Sequence, residues 1–124
     1  ELSVVNDQIG APTWARFVAE ATASIVARAG GTRSEIDAAL AAKGGVFHLT
    51  AAGATNWYGF AQKILELTNS QQRICKTILP IPSTSYPTAA TRPKNSLLAG
   101  HRIEDAWGIH RPDWLDLLKL CVAA

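Results

Sequence analysis

The sequence predicts a mixed α/β fold with three to five helices and two to four short strands. The chain has 124 residues, the length of one domain. Its 48% hydrophobic and 18% charged residues are typical of globular rather than disordered proteins. Stretches with apolar residues at helical spacing alternate with short β-branched runs, and glycine or proline separates them. A chain of this length can bury a real core.

The first elements are predicted from residues 2–31. Residues 2–5 (LSVV) form a short apolar run and are predicted to be a strand. A polar loop with Gly and Pro follows at 6–13, and Thr13 is predicted to cap the next helix. That helix is predicted from Trp14 to about Ala29, because its apolar residues recur at helical spacing and two glycines follow.

The middle of the chain predicts two helices and one strand. Residues 34–43 are alanine-rich and predict a short helix that ends at the glycines 44 and 45. Residues 46–50 (VFHLT) are the best strand candidate in the chain. Thr55 is then predicted to cap an amphipathic helix that runs to about Leu67.

The last part of the chain predicts an extended segment and two closing helices. Residues 74–81 are predicted to be extended, and Pro80 and Pro82 confine them to a sheet edge or a strand end. A short helix is predicted from residue 97 or 100 to Trp107, with its end at Gly108. The final helix is predicted to begin at residues 112–113, with Pro in the first helical position and an acid in the first turn.

Composition argues against several classes of partner. The formal net charge is only +2, and the basic residues are scattered rather than clustered, so nucleic acid is not expected as a partner. No apolar run reaches the length of a membrane span, so no membrane partner is expected. Cys75 and Cys121 are too few and too far apart for a disulfide framework or a zinc site; both are predicted to be small core residues, and a cytoplasmic location is expected.

No self-contained catalytic site is predicted. A glycine-rich dinucleotide fingerprint is absent from the sequence, and the three histidines lie too far apart to indicate a metal site. Neither Tyr58 nor Tyr86 has a lysine four residues later. No catalytic or metal-binding residue is therefore assigned in this chain. The four tryptophans are interpreted as core or interface aromatics: Trp14, Trp57, Trp107 and Trp114.

The sequence also predicts that this chain is part of a longer polypeptide. It contains no Met and begins on a predicted strand. The strands predicted at 2–5 and near 78–81 are too few for a sheet of their own. We therefore expect them to extend a sheet that other sequence supplies.

The first candidate binding segment is residues 86–96 (YPTAATRPKNS). Arg92 can make paired, charge-assisted hydrogen bonds to phosphate oxygens. Asn95 can both donate to and accept from a sugar hydroxyl, and Ser96 adds a further hydroxyl. Pro93 stiffens the turn between them. The same residues are also compatible with a solvated surface loop.

The second candidate segment is the loop 7–13. Gln8 and the backbone amides of this loop lie beside a predicted helix N-terminus, which favours negative charge. The loop residues nearest this proposed site are Asp7, Gly10, Pro12 and Thr13. The alternative is an ordinary strand-to-helix turn, in which Gly, Pro and Thr serve only the backbone.

Four motifs in order resemble one family. They are VVNDQIGAPT at 4–13, FHLTAAGATNWYGFA at 47–61, YPTAATRPKNS at 86–96 and PDW at 112–114. Together they resemble the C-terminal, substrate-binding part of the dTDP-4-dehydrorhamnose reductases, which are extended short-chain dehydrogenases. The resemblance spans nearly the whole chain.

The resemblance implies both an activity and a division of labour. Such enzymes reduce dTDP-4-dehydro-L-rhamnose to dTDP-L-rhamnose with NADPH, or in some members NADH. An N-terminal Rossmann domain would supply the cofactor site and the catalytic Thr, Tyr and Lys, so this chain alone is expected to be inactive and to bind no cofactor. Gln8, Arg92, Asn95 and Ser96 would bind the dTDP-sugar, with Asn95 where related enzymes carry Asp.

The match has departures, and alternatives remain open. Leu97 and Ala99 stand where the family often has Arg and an acid, and Arg16 lies near a position where some members use an acid for a Mg²⁺-linked dimer. That dimer is not expected, although another homo-oligomer is compatible with the sequence. The two rival hypotheses are a non-catalytic relative, such as a methionine adenosyltransferase regulatory subunit, and a small helical interaction module.

Overall fold

The structure, a computed structural model, describes residues 1–68 and 74–124. Within these residues it has five α-helices, four short strands and one 3-10 helix, so the predicted α/β class is confirmed. In chain order they are β1 (Leu2–Val5), β2 (Ile9–Gly10), α1 (Ala15–Ala29), α2 (Arg33–Lys43), β3 (Thr55–Asn56), α3 (Trp57–Leu67), β4 (Ile78–Ile81), the 3-10 helix (Ser83–Ser85), α4 (His101–Trp107) and α5 (Trp114–Ala123).

Two small sheets position the candidate binding segments 7–13 and 86–96. β1 and β4 pair in parallel, with Leu2 opposite Ile78 and Val5 opposite Ile81. Among the described residues β4 pairs with β1 alone, and Pro80 within it has no N–H to offer a further strand. α3 contacts both strands of this pair. The sheet supplied by other sequence stays a prediction.

The second sheet is a short antiparallel pair of β2 and β3. Ile9 lies opposite Asn56, and Ile9 also forms a parallel bridge with Asn95. β2 is therefore held between the start of α3 and residues 94–96. This arrangement brings three distant parts of the chain together.

The core lies under the helices. Its buried residues come mainly from α1, α4 and α5 and are Phe17, Ala21, Ala29, Ala51, Ile103, Trp107, Ile109 and Leu117. Burying each large apolar side chain stabilises the fold by about 1.5–3 kcal/mol. Arg28 of α1 donates a hydrogen bond to the backbone carbonyl of Trp107 at the end of α4. Gly108 ends that helix in a left-handed conformation (φ 62°), as predicted.

The strand predicted at residues 46–50 is wrong. This segment has no regular secondary structure. Its side chains still alternate between inside and outside, since Phe47 and Leu49 pack against the core while Val46 is 81% exposed. A side chain holds this segment instead of a neighbouring strand. The Arg102 guanidinium donates a hydrogen bond to the Val46 carbonyl and lies over the Phe47 ring. A strand would need the backbone N–H and C=O groups of a partner strand.

Three predicted helix starts are also corrected. Thr13 does not cap α1; its hydroxyl donates to the Ala11 carbonyl and accepts from the Ala51 N–H. Asn56 rather than Thr55 caps α3, since its side chain accepts from the Gly59 N–H at 2.7 Å. α5 begins at Trp114, with Asp113 as the cap, so the proline at 112 lies outside the helix.

The two cysteines differ from their predicted placement. Cys121 is exposed on α5 and Cys75 is half-buried, so neither is a core residue. Both thiols are free. Within residues 1–68 and 74–124, no helix combines the length and the hydropathy that a bilayer crossing needs.

Candidate functional site

Two adjoining cavities lie beside the β2 sheet. Their volumes are about 570 and 610 Å³, within the range of small-molecule sites. Gln8, Trp57 and Arg92 line both cavities. We call these three residues the junction. Because the cavities share them, the two spaces form one groove with two lobes.

Arg92 is the distinctive charge of this groove. In the described part of the chain, each of the other five arginines is engaged by an acceptor: Glu20, the Trp107 carbonyl, Asp37, the Val46 carbonyl or Glu104. Arg92 has no hydrogen bond or ion pair among these residues, and it is exposed. Its five N–H donors are therefore available to an anion in the groove.

The segment that carries Arg92 is anchored on β2. The Ile9 N–H donates to the Lys94 carbonyl at 2.8 Å, and the Ser96 N–H and hydroxyl both donate to the Ile9 carbonyl at 2.9 Å. Gly10 permits this close approach, because a Cβ at that position would lie 2.9 Å from the Ser96 hydroxyl. The backbone that follows Pro93 is thus held on β2, while the Arg92 side chain stays free.

Asn95 and Ser96 are placed differently from Arg92. The Asn95 side-chain oxygen accepts from the Leu97 N–H at 3.0 Å, and this residue lines neither cavity. Ser96 lines the larger cavity, and its hydroxyl can still accept a hydrogen bond while it donates to Ile9. Asn95 therefore shapes the turn that follows Arg92, and its contact with a ligand stays a prediction.

Asp7 ties the loop to the 3-10 helix. Its two carboxylate oxygens accept from the Ser83 N–H and the Ser83 hydroxyl, each at 2.9 Å, and the Lys94 ammonium lies 3.8 Å away. Partial burial acts to raise the pKa of Asp7, but these hydrogen bonds and the Lys94 charge outweigh it. The net effect holds the pKa of Asp7 below its ordinary value of 3.8.

Some of the other residues of the loop 7–13 line the cavities, and the others stabilise the loop. Gln8 is half-buried at the junction, and Gly10 and Pro12 line the larger cavity. Thr13 lines neither cavity, since its hydroxyl bonds Ala11 and Ala51. The structure therefore brings Gln8, Arg92, Ser96, Gly10 and Pro12 together, and it gives Asp7 and Thr13 supporting contacts.

Trp57 is the groove residue that sequence reasoning missed. It was interpreted as a packing aromatic, yet it is 58% exposed at the junction. The other three tryptophans do pack: Trp107 is buried, and Trp14 and Trp114 are half-buried against the core. Position gives no signal here, because Trp114 also begins a helix and packs against the core.

The described residues supply no catalytic group that stands out. The Tyr58 hydroxyl accepts from the Gln62 side chain at 3.0 Å. In residues 1–68 and 74–124 no three His, Cys, Asp or Glu side chains cluster in a way that could hold a metal ion.

The fold and the two-lobed groove define an α/β binding domain. Residues 1–124 match the family described as "RmlD substrate binding domain", and the chain belongs to this family. It is 41% identical, over 126 aligned residues, to the dTDP-4-dehydrorhamnose reductase of Burkholderia thailandensis, with 98% of this chain and 41% of that protein covered.

Solved structures show the same architecture. A dTDP-4-dehydrorhamnose reductase from Clostridium acetobutylicum superposes with a TM-score of 0.76 at 28% identity, covering 98% of this chain and 38% of that one. One from Bacillus anthracis, solved in complex with NADP, gives a TM-score of 0.70 at 23% identity, covering 99% and 38%, and supports the fold alone. The chain thus spans about two-fifths of the length of these relatives.

Proposed function

We propose that this chain is the dTDP-sugar-binding part of a dTDP-4-dehydrorhamnose reductase, which reduces dTDP-4-dehydro-L-rhamnose to dTDP-L-rhamnose. The observation that carries this proposal is Arg92, the arginine without a partner among the described residues, at the junction of the groove. Family membership and the names of the relatives support the substrate class. Neither the groove nor the comparisons favour the regulatory-subunit or interaction-module alternatives.

Each groove residue has a proposed role. Arg92 binds the diphosphate through paired hydrogen bonds. Gln8 and Ser96 bind sugar hydroxyls, and Asn95 either joins them or fixes the turn that aims Arg92. Gly10 lets the Arg92 segment approach β2, while Asp7, Pro12 and Thr13 hold the loop. Pre-organised loops of this kind lower the entropic cost of binding.

The nicotinamide cofactor is proposed to bind mainly outside this chain. The sequence has no glycine-rich dinucleotide fingerprint, so these residues do not fit the cofactor's diphosphate by the usual mechanism. NADPH or NADH, held by an N-terminal Rossmann domain that also carries the catalytic residues, would supply the hydride. This chain would orient the sugar and exclude water. A cytoplasmic location and a homo-oligomer stay predictions.

The test is Arg92→Ala in the full-length protein. A hydrogen-bonded charge contributes about 1.5–3 kcal/mol to binding, so kcat/KM for the dTDP-sugar should fall about 10- to 100-fold. Because the lost contact is made in the ground state as well, KM should rise more than kcat falls. Arg92→Lys should cause a smaller loss of kcat/KM than Arg92→Ala, since an ammonium keeps the charge but cannot form the paired hydrogen bonds of a guanidinium.

The matched control is Arg33→Ala. Arg33 is an exposed arginine on α2 that pairs with Asp37 one turn away and lines neither cavity. Its removal should leave kcat/KM unchanged. Equal kinetics for wild type and Arg92→Ala, or equal losses in both variants, would remove Arg92 from the site.

A further inference from the structure

Residues 83–96, which we call the Arg92 loop, are bound at both ends by the segment that follows β1. At the start, the Ser83 N–H and hydroxyl donate to the two oxygens of the Asp7 carboxylate, each at 2.9 Å. At the end, the backbone of Ile9 exchanges hydrogen bonds with the last three residues of the loop. Asp7 and Ile9 are close neighbours in the sequence, so one short segment holds both ends of a much longer loop.

Between these two anchors the Arg92 loop has little other support. In the part of the chain that the structure describes, residues 87–92 form no hydrogen bond to another segment. The Thr88 hydroxyl bonds only locally, to the Ala90 carbonyl at 2.8 Å. Arg92 lies in this span and lines both cavities. The position of its guanidinium in the groove therefore depends on the anchors at the ends of the loop.

The anchor at the start of the loop is made by the side chain of Asp7. Its bonds to Ser83 involve an ionised acceptor and are therefore stronger than bonds between neutral groups. The Lys94 ammonium lies 3.8 Å from the same carboxylate, but its side chain is 80% exposed, so this pair adds little. Asp7 thus acts on the Arg92 loop mainly through Ser83, and a substitution can remove this anchor.

We propose that Asp7 is a positioning residue for the anionic part of the ligand: its hydrogen bonds to Ser83 fix the start of the Arg92 loop and so hold Arg92 at the junction. This inference rests on the proposed function.

The proposed role and the charge of Asp7 have opposite effects on binding. Asp7 directly precedes Gln8, a junction residue, and a carboxylate near the groove repels an anion. Removing its charge would by itself strengthen anion binding. Loss of the anchor should weaken anion binding instead, because the Arg92 side chain must then be ordered when the ligand binds. The sign of the change therefore separates the two effects.

The test is a double-mutant cycle on the full-length protein with dTDP as the probe. Asp7→Asn keeps the shape of the side chain but loses the charge and one of the two acceptors, so dTDP should bind about 3- to 10-fold more weakly. In the Arg92→Ala background the same change should cause no weakening, because the residue that Asp7 positions is gone. Calorimetry measures the tighter complexes and NMR titration the weaker ones.

A second variant separates the anchor from the charge. Ser83→Ala removes one hydrogen bond to Asp7 and leaves the net charge unchanged. It should also weaken dTDP binding, and again only while Arg92 is present. The matched control is Asp37→Asn, which removes an exposed carboxylate that pairs with Arg33 on α2 and lines neither cavity. This control should leave the dTDP affinity unchanged in both backgrounds.

The outcomes separate this inference from the proposal on which it rests. If wild type binds dTDP and Asp7→Asn binds it equally well or more tightly, the positioning role is wrong while the nucleotide site stands. If Asp7→Asn or Ser83→Ala weakens binding equally with and without Arg92, these residues act through the fold or touch the ligand themselves, and the inference is also overturned. If wild type does not bind dTDP, both the inference and the proposed function fail.

Discussion

Asp7 illustrates how one residue supports the groove without entering it. Its carboxylate accepts two hydrogen bonds from Ser83 and lies 3.8 Å from the Lys94 ammonium. These contacts link the loop after β1, the 3-10 helix and the segment that carries Arg92. The hydrogen bonds from Ser83 and the charge of Lys94 favour the charged form of Asp7 in the folded state, and so its pKa is lowered.

A pH dependence follows from this shift. Because the folded pKa of Asp7 lies below the ordinary 3.8, its stabilisation is fully present above that value and is lost as the pH falls through the folded pKa. Wild type should therefore be more stable than Asp7→Asn at pH 6, and the difference should shrink at pH 3. Urea unfolding at the two pH values measures this. If wild type and Asp7→Asn differed in free energy of unfolding by the same amount at both pH values, the charged form of Asp7 would not be what stabilises the fold.

Residue chemistry in the groove could be predicted only in part. The chemistry of Arg92 follows from the guanidinium group and the proline after it, and the structure leaves that side chain free at a cavity. Trp57 could not be assigned, because sequence gives the helical face of an aromatic residue but not where the facing core ends. The hydrogen bond from the Leu97 N–H to the Asn95 side chain could not be predicted either, because it depends on the geometry of the turn.

The start of α3 is the element that positions Trp57. Asn56 accepts from the Gly59 N–H at 2.7 Å and donates to the Asn6 carbonyl at 2.8 Å, so it caps the helix and ties it to the end of β1. α2 has an independent cap, in which Thr32 and Glu35 bond each other's backbone N–H groups. The two caps offer a matched comparison.

Asn56→Ala and Thr32→Ala should each cost about 1 kcal/mol of stability, the usual cost of a lost cap. Only Asn56→Ala should also weaken nucleotide binding, because Asn56 lines the larger cavity and caps the helix whose first residue, Trp57, lies at the junction. Denaturation and calorimetry with dTDP on both variants measure this. A similar loss of affinity in both would mean that the caps act through global stability.

At the scale of elements, the sequence predicts helices better than strands here. The five α-helices found in residues 1–68 and 74–124 were all predicted, because amphipathic spacing and flanking glycines are local signals. Residues 46–50 have strand composition, but a strand also needs a free backbone edge, which composition does not report. Thr13 failed as a cap because the distant Ala51 N–H recruits its hydroxyl.

The whole molecule is organised around β2. Its two residues connect the α3 start to residues 94–96, which follow Arg92, and so they bring together Gln8, Trp57 and Arg92 from three separate parts of the chain. The parallel β1–β4 pair and its contact with α3 form the support behind the groove. Since the chain covers 41% of its Burkholderia thailandensis relative, we propose that a Rossmann domain completes the sheet and the active site.

The most direct measurement is a crystal structure of the full-length protein with dTDP. We expect the diphosphate at the junction, with its oxygens about 2.7–2.9 Å from the Arg92 guanidinium nitrogens. A dTDP molecule bound away from the junction, with Arg92 left in solvent, would contradict the account.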